Sequence, residues 1–334
     1  MTAVFTAVKK FICLIVSSLA LITSLQRGDL GTASYFPQPQ SAFMARSAGM
    51  PLVAAHRTGK GNAPENTLMA LEAAVAAGDE VDMFEIDIQI TSDGELVLYH
   101  SLYLDENSDA AEYFGRANTT VFSKTYAQLR NLNMGENFNR GGKYPYRGLR
   151  GADIPDNLRI LKLADFFDWL AARGLAQRYL YSIEVKYPFP WGPSMVDQLA
   201  VILEQRGLAG NAVIGSYWAD ITAYIDRAYS GRLQRFASIA ECLQLYSAYY
   251  CGEDLTGVDL PYIALSLPYY EDDNRMMIAH CGDAAFIDYA HRYGLAMCYW
   301  TVNTDGDVRA LAAAGADVLM TDYPEKVYDI IHAG

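Results

Sequence analysis

Pairs of ionisable residues stand in, or at the end of, three apolar segments of this sequence that resemble β-strands. The pairs are His56 with Arg57, Glu85 with Asp87, and Glu184 with Lys186. Side chains two apart in a strand point to the same face, so the two acids of the second pair share a face, as do the members of the third. A second histidine, His100, ends another short strand-like segment. All of these side chains can converge on one site if the strands are neighbours.

Three carboxylates directed into one site repel one another, and their pKa values rise unless a cation neutralises them. Oxygen ligands suit a hard divalent ion, Mg²⁺ or Ca²⁺, better than zinc. Two histidines beside such an ion suit general acid and base work, and Arg57 and Lys186 supply fixed positive charge for an anion such as phosphate. The pattern therefore predicts metal-assisted attack on a phosphate ester.

Eight strand-like segments alternate with segments of helical periodicity along the chain. The strand candidates are residues 52–56, 84–90, 179–186, 212–217, 235–240, 262–267, 297–303 and 317–322. The helix candidates are residues 64–78, 163–174, 196–207, 221–229, 284–294 and 306–315. This alternation predicts parallel pairing and an α/β fold, a closed (β/α)₈ TIM barrel whose active site lies at the carboxyl ends of the strands. A doubly wound open sheet is the alternative, but no Gly-x-Gly-x-x-Gly turn follows the first strand.

A hairpin is predicted after the second strand. Residues 91–94, with the sequence Thr-Ser-Asp-Gly, have the composition of a tight turn, and a second strand follows over 95–100. A turn centred on Ser92 and Asp93 places Glu85 opposite His100, which brings this histidine beside the acids. Residues 101–160 are too long for an ordinary strand-to-helix loop, so we expect an insertion over the barrel mouth.

Composition and the amino-terminal residues bear on partners and location. The chain of 334 residues has a net charge of −13 and no cluster of basic residues, which argues against a nucleic-acid partner, and no protein partner is evident. Lys9 and Lys10 precede an uncharged apolar run over 11–25, shorter than the roughly 20 residues of a spanning helix.

We interpret residues 1–25 as an export signal, either cleaved or retained as a membrane anchor; a buried or amphipathic helix is the alternative. Residues 26–47 are then a linker and residues 48–334 the barrel domain. This interpretation predicts an exported protein, extracellular or attached to the outer face of the cytoplasmic membrane. In that compartment Cys242 and Cys251 can pair, whereas Cys298, in an apolar strand-like segment, is expected to be a buried free thiol.

Several short blocks of sequence occur in a particular order. They are His56-Arg57, Pro64-Glu65-Asn66-Thr67, Glu85-Ile86-Asp87, Thr91-Ser92-Asp93-Gly94, His100, Ile183-Glu184-Val185-Lys186, Trp300-Thr301-Val302-Asn303 and residues 315–324. This ordered set resembles the glycerophosphodiester phosphodiesterase family, and it spans residues 52–325. Each block by itself is weak, whereas the ordered set is specific.

The resemblance implies a barrel of the phospholipase C-like phosphodiesterase type that hydrolyses glycerophosphodiesters to sn-glycerol 3-phosphate and an alcohol. It implies one divalent cation, Mg²⁺ or Ca²⁺, and a small-molecule or lipid-derived phosphodiester as substrate. The implied roles are metal binding by Glu85, Asp87 and Glu184, acid and base catalysis by His56 and His100, phosphate binding by Arg57 and Lys186, and lining of the substrate pocket by Trp300.

The chain also departs from the family pattern. Thr58 stands where members usually have Gly, Ser101 where they usually have Asp, and Glu106 where they usually have Arg. Thr58 and the longer loop after it are expected to change the phosphate pocket, whereas the loss of Asp at Ser101 bears on rate and metal affinity more than on reaction class. Two alternatives stay open: a phospholipase-type enzyme acting on lyso- or intact phospholipids, and a non-catalytic barrel that binds phosphodiesters or lipid headgroups. Glu65 and Asn66 are expected to organise the start of the first helix.

Overall fold

The structure is a computed structural model that describes residues 41–44, 49–269 and 280–333. The predicted export signal over 1–25 and most of the predicted linker over 26–47 lie outside the described residues. No helix in the described ranges combines the length and apolar character needed to cross a membrane.

Nine strands in the described ranges form one sheet. They are β1 Leu52–Ala55, β2 Met83–Ile90, β3 Leu96–Leu98, β4 Leu180–Val185, β5 Ala212–Gly215, β6 Gln234–Arg235, β7 Ala264–Pro268, β8 Ala296–Trp300 and β9 Val318–Thr321. Eight of them pair in parallel in the order β6-β5-β4-β2-β1-β9-β8-β7, while β3 pairs only with β2. The two ends of this order, β6 and β7, meet at one parallel bridge, between Phe236 and Ala264. The barrel is therefore nearly closed.

Helices follow most of the strands, as the alternation predicts. The helices of the described ranges are α1 Leu68–Ala76, α2 Ala110–Tyr113, α3 Tyr126–Leu129, α4 Leu163–Ala171, α5 Trp191–Gln205, α6 Ala219–Tyr229, α7 Ile239–Cys251, α8 Ala284–Arg292, α9 Asp305–Ala314 and α10 Pro324–His332. The predicted strand over 235–240 is wrong beyond Phe236. Ser238 and Glu241 form a capping box that begins α7, because each side chain satisfies a backbone N–H of the other.

The alternation along β2 divides its side chains between two layers. Phe84, Ile86 and Ile88 face outward and pack in the core between the strands and the helices, which includes Phe166 of α4. Met83 packs inside the barrel with residues of several other strands. Because successive side chains alternate, Glu85 and Asp87 lie on the same inward face as Met83, nearer the carboxyl end of the strand.

The β2–β3 hairpin forms as predicted, but its register differs by one residue. Gln89 pairs with Val97, so Glu85 does not lie opposite His100 as a turn centred on Ser92 and Asp93 would require. The loop has three residues rather than two, and it closes with the left-handed Gly94 at φ +86°.

Side-chain hydrogen bonds favour this longer loop. The hydroxyl of Thr91 donates to Asp93 Oδ1 at 2.6 Å and accepts from the backbone N–H of Glu95 at 2.9 Å.

The segment over residues 101–160 is a compact insertion with a small core of its own. Its apolar side chains pack with those of β3 in one cluster, composed of Val97, Tyr99, Leu104, Ala110, Val121, Leu129, Leu132, Met134 and Ile160. At the barrel mouth, Asn107 Nδ2 donates to Glu65 Oε1 at 3.0 Å. The predicted insertion thus contacts the loop between β1 and α1.

Cys242, Cys251 and Cys298 are free thiols in the structure. The disulfide between Cys242 and Cys251 that the sequence left possible does not form. Both lie in α7, where nine residues of helix separate them by about 13 Å along the axis, whereas a disulfide needs Cα atoms within about 7 Å. Cys298 is buried and unpaired, as predicted.

Candidate active site

Three carboxylates of two neighbouring strands form a cluster inside the carboxyl end of the barrel. Glu85 and Asp87 lie on β2, and Glu184 on β4 is the register partner of Asp87. One ligand oxygen from each carboxylate lies within 4.8 Å of the others. Asp87 is fully buried and Glu85 almost so. The structure thus brings together the three acids for which the resemblance implied metal binding.

The electrostatics of this cluster fit a bound cation. Burial raises the pKa of Glu85 well above its usual value, and the charge of Asp87 raises it further. Burial likewise raises the pKa of Glu184, again with a contribution from Asp87. Burial also opposes ionisation of Asp87, but Lys186, His100 and Arg57 together hold the pKa of Asp87 below its usual value. An oxygen-only donor set with this unbalanced negative charge suits a hard divalent ion.

Two cationic side chains border the carboxylates. Lys186 Nζ lies 2.9 Å from Glu184 Oε1 and 3.3 Å from Asp87 Oδ1. Arg57 Nη1 donates to both oxygens of Glu65, at 3.0 and 3.2 Å, and its backbone N–H donates to Glu85 Oε2 at 2.7 Å. Arg57 adopts a left-handed conformation, with φ +50°, in the turn that follows β1. This turn directs both its backbone N–H and its guanidinium toward the acids.

The imidazole ring of His56 is held by the carboxylate of Asp322, the residue that directly follows β9. His56 Nδ1 lies 2.7 Å from Asp322 Oδ1, and Asn303 Nδ2 donates to Asp322 Oδ2 at 2.9 Å. Burial lowers the pKa of His56, and the hydrogen bond to Asp322 opposes that shift. With Nδ1 engaged, Nε2 is the ring nitrogen of His56 that remains for proton transfer.

His100 reaches the site despite the changed register. Beyond β3 the chain is held by Gln89 Nε2, which donates to the carbonyls of Tyr99 at 3.0 Å and Ser101 at 2.8 Å. Burial lowers the pKa of His100 to about 3, although the charge of nearby Asp87 opposes this shift. The Nδ1 atom of His100 is buried without a hydrogen-bond partner. The neutral ring therefore carries an open polar atom next to the carboxylates.

Asn66 is a site residue that sequence reasoning assigned only to the start of the first helix. Its Nδ2 donates to Asp87 Oδ2 at 3.0 Å, and its Oδ1 is buried without a partner. Its backbone is left-handed, with φ +55°, a conformation that Asn tolerates better than most residues. Its position in the block over 64–67 was the only signal in the sequence.

Asp322 and Asn303 were also missed as site residues. Both occur in blocks that carry the resemblance, but no spacing rule links them to His56 across more than 240 residues. Trp300, the expected pocket residue, is the last residue of β8, half-buried against the cluster inside the barrel. Trp300 thus lies at the same end of the barrel as the three acids, the carboxyl end of the strands.

Comparison with known proteins identifies the family. Residues 56–326 match the sequence model of the glycerophosphoryl diester phosphodiesterase family, and the chain belongs to this family. The resemblance inferred from the ordered blocks is confirmed.

Individual relatives agree with this assignment. The chain is 34% identical over 212 residues to the uncharacterized protein Rv2277c of Mycobacterium tuberculosis, covering 63% of this chain and 60% of that protein. It thus spans less than two thirds of this relative. It is 25% identical over 285 residues to a glycerophosphodiester phosphodiesterase of Caldanaerobacter subterraneus, covering 85% of this chain and 98% of the relative.

Solved structures share the fold. The glycerophosphoryl diester phosphodiesterase domain of Rv2277c matches with a TM-score of 0.64 and 24% identity, covering 84% of this chain and 98% of that domain. A phosphodiesterase of Oleispira antarctica in complex with the product sn-glycerol-3-phosphate matches with a TM-score of 0.61 and 19% identity, covering 85% and 98%. The predicted phosphodiesterase-type (β/α)₈ barrel is confirmed.

Proposed function

We propose that this chain is a metal-dependent phosphoric diester hydrolase that converts glycerophosphodiesters to sn-glycerol 3-phosphate and an alcohol. The observation that carries the proposal is the cluster of Glu85, Asp87 and Glu184, with ligand oxygens within 4.8 Å of one another, between two histidines and two cations. Membership of the family supports the reaction class. The product bound to the Oleispira antarctica enzyme supports the choice of substrate.

Glu85, Asp87 and Glu184 would hold one divalent ion, Mg²⁺ or Ca²⁺. When bound, such an ion offsets negative charge on the nonbridging phosphate oxygens. Arg57 and Lys186 would bind the same phosphate from the side of the carboxylates that they already contact. A phosphate anion would replace part of their present pairing with acids, and both cations are long enough to turn toward it.

The histidines divide the proton transfers between them. His56, with Nδ1 held by Asp322, would take the proton of the attacking hydroxyl or water at Nε2 as its oxygen bonds to phosphorus. His100 would donate a proton to the alcohol oxygen as the phosphorus–oxygen bond breaks. Burial disfavours the protonated form of His100. The negative phosphate must therefore raise its pKa on binding.

Turnover of a diester tests this proposal against a binding protein. The purified chain is assayed for glycerol 3-phosphate release from glycerophosphocholine with Mg²⁺ or Ca²⁺, with EDTA, and as the His56→Ala variant. We expect release that EDTA and His56→Ala abolish. Unchanged activity in either arm contradicts the metal and histidine mechanism, whereas binding without turnover of any diester favours the non-catalytic barrel.

Cleavage of lysophospholipids is a second candidate, favoured by exposed aromatic residues near the mouth. Phe189 and Trp218 are 73% and 46% exposed on loops that follow β4 and β5. Side-by-side assays of glycerophosphocholine and lysophosphatidylcholine distinguish the two substrate classes. Trp300 would line the pocket for the alcohol in either case, and Trp300→Ala is expected to raise KM more than it lowers kcat.

We also propose that the domain works outside the cytoplasmic membrane. The support is the apolar run over 11–25 behind Lys9 and Lys10. Fractionation of cells that express the full chain tests this. Recovery of the protein in the cytoplasm, with no shift in mass, contradicts export.

A further inference from the structure

Four aromatic side chains are exposed at the mouth of the barrel, on the loops that follow β4 and β5 and at the first residue of α5. Phe189 and Trp191 follow β4, the strand of Glu184, and are 73% and 43% exposed. Tyr217 and Trp218 follow β5, the neighbour of β4, and are 55% and 46% exposed. We call these four residues the aromatic rim. Exposed apolar surface of this kind on an otherwise well-packed barrel indicates an interaction site.

The backbone beneath the rim is held firmly. Ser216 Oγ donates to the carbonyl of Val185 at 2.9 Å, and Trp218 Nε1 donates to the carbonyl of Lys186 at 3.0 Å. The N–H of Phe189 donates to Asp220 Oδ2 at 2.8 Å, which ties the two loops together. Phe189 and Trp218 are therefore held on a fixed frame. The phenol of Tyr217 is instead turned toward the carboxylate cluster, where burial and the charge of Glu184 raise its pKa to about 12.

Internal stacking does not account for most of the rim. Trp191 stacks on Phe122 with ring centres 5.2 Å apart. Within the described ranges, the rings of Phe189, Tyr217 and Trp218 make no pair with another aromatic ring. These three rings are therefore the ones available to an outside partner.

The charge around the aromatic rim indicates which kind of surface the rim can bind. Apart from tyrosine, residues 187–196 and 212–219 carry no ionisable side chain. The exposed carboxylate of Asp220, which accepts from the N–H of Phe189, adds a negative charge beside the rim, and the whole chain has a net charge of −13. An anionic surface or a polyanion would be repelled by such a chain. Tryptophan and tyrosine, with an apolar ring and a polar edge, are the residues that favour the boundary between lipid headgroups and acyl chains.

We propose that the aromatic rim docks on a zwitterionic phospholipid surface, so that the mouth of the barrel faces the lipid. Phe189 enters the acyl-chain boundary, while Trp218 lies at the headgroup level. Such a surface would supply lipid-derived diesters as substrates, and this role of the docking rests on the proposed function. The binding itself does not depend on turnover.

Quenching of tryptophan fluorescence by brominated lipid tests this docking in the full chain. All four tryptophans lie in the barrel, at 169, 191, 218 and 300, so an anchor within residues 1–25 brings no reporter to the membrane. Vesicles of dibrominated phosphatidylcholine are expected to quench the fluorescence of the chain. Trp169→Phe keeps this quenching, whereas the double variant Trp191→Phe with Trp218→Phe loses it.

A charged substitution that leaves every tryptophan in place tests the rim itself. Phe189→Asp is expected to abolish the quenching by vesicles. Tyr250→Asp, at a 62% exposed aromatic of α7, is the matched control and keeps it. Unfolding temperatures equal to that of the parent chain confirm that both variants are folded.

Three outcomes overturn the proposal. They are no quenching by phosphatidylcholine vesicles, equal quenching in Phe189→Asp, and quenching only when the vesicles carry anionic lipid. A Phe189-dependent dimer in sedimentation, without quenching, assigns the rim instead to a second copy of the chain. None of these readouts requires hydrolysis, so they are independent of whether the chain is a phosphodiesterase.

Discussion

His56 and Asp322 join the end of the first barrel strand to the end of the last through a 2.7 Å contact between Nδ1 and Oδ1. The hydrogen bond fixes the orientation of the imidazole, and the charge of Asp322 counteracts the effect of burial on its pKa. An imidazole held in this way keeps its other nitrogen ready to accept a proton. Asp322 is thus a positioning residue for His56.

Replacing Asp322 by Asn is expected to lower kcat by roughly 100-fold, because His56 loses the carboxylate that orients it. The pKa of His56 falls further without Asp322, so the acid limb of the kcat/KM profile moves to lower pH. Asp305→Asn, which removes an exposed aspartate paired with Lys326, is the control and should keep the parent profile. An unchanged pH profile in Asp322→Asn contradicts the positioning role.

Divalent ions are expected to stabilise the fold, because they relieve the repulsion among Glu85, Asp87 and Glu184. An ion at 100 times its Kd contributes about 2.7 kcal/mol to the free energy of unfolding. Thermal unfolding with and without Mg²⁺ or Ca²⁺ measures this, and EDTA should reverse it. Glu184→Gln should weaken the response, whereas Glu204→Gln, at an exposed glutamate, should keep it. An equal rise in Tm for both variants places the ion elsewhere.

Asn66→Gly is expected to weaken metal binding by about 10- to 100-fold, because Asp87 loses the amide that orients its carboxylate. Glycine keeps the left-handed backbone at this position, so the effect is separated from strain. Calorimetric titration with Mg²⁺ or Ca²⁺ gives the dissociation constant of the ion for the parent chain and for the variant. Asn118→Gly, at another left-handed asparagine in the insertion, is the matched control. Equal affinities in parent and Asn66→Gly rule out this role for the amide.

The seam of the barrel depends on a buried arginine. Arg235 on β6 is 2% exposed and binds both oxygens of Asp226 and of Glu241. Arg235→Ala leaves both acids without their partner and is expected to reduce the free energy of unfolding by about 3 kcal/mol.

Arg232→Ala removes an exposed pair with Glu204 and serves as the comparison, with an expected loss of less than about 1 kcal/mol. Urea unfolding measures both variants. Similar losses in the two would show that burial of the Arg235 network adds nothing.

His291 makes stability depend on pH. The ion pair with Asp317, at 2.7 Å, raises the pKa of His291 above 6.5 in the folded state. Its stabilising contribution, up to about 1 kcal/mol, is therefore complete below the unfolded pKa of about 6.5 and is lost as the pH rises through the raised value. The difference in Tm between the parent and His291→Gln should shrink over that interval. A difference that stays constant with pH contradicts this contribution.

Local periodicity was enough to predict most of the fold and the acids of the site. The alternation along β2 separates Phe84 and Ile86 from Glu85 and Asp87, and this follows from the geometry of any strand. The hairpin register was not predictable to one residue, because the same four turn residues allow loops of two or three. The side-chain hydrogen bond from Thr91 to Asp93 favours the loop of three residues.

Contacts between distant parts of the chain escaped prediction for a different reason. Asp322 meets His56 only because β9 is the neighbour of β1 when the barrel closes, and no short-range pattern encodes that pairing. Asn66 was assigned to helix capping, a role that Thr67 performs by accepting from the N–H of Ala70. The side-chain amide of Asn66 instead donates a hydrogen bond to Asp87.

Glu65 connects two parts of the molecule, the barrel and the insertion. It binds Arg57 on the barrel and Asn107 on the insertion. A lineage that exchanged the insertion for another would change the cover of the mouth and, in the same event, the restraint on the arginine beneath it. The setting of the Arg57 guanidinium is thus coupled to the insertion through one carboxylate.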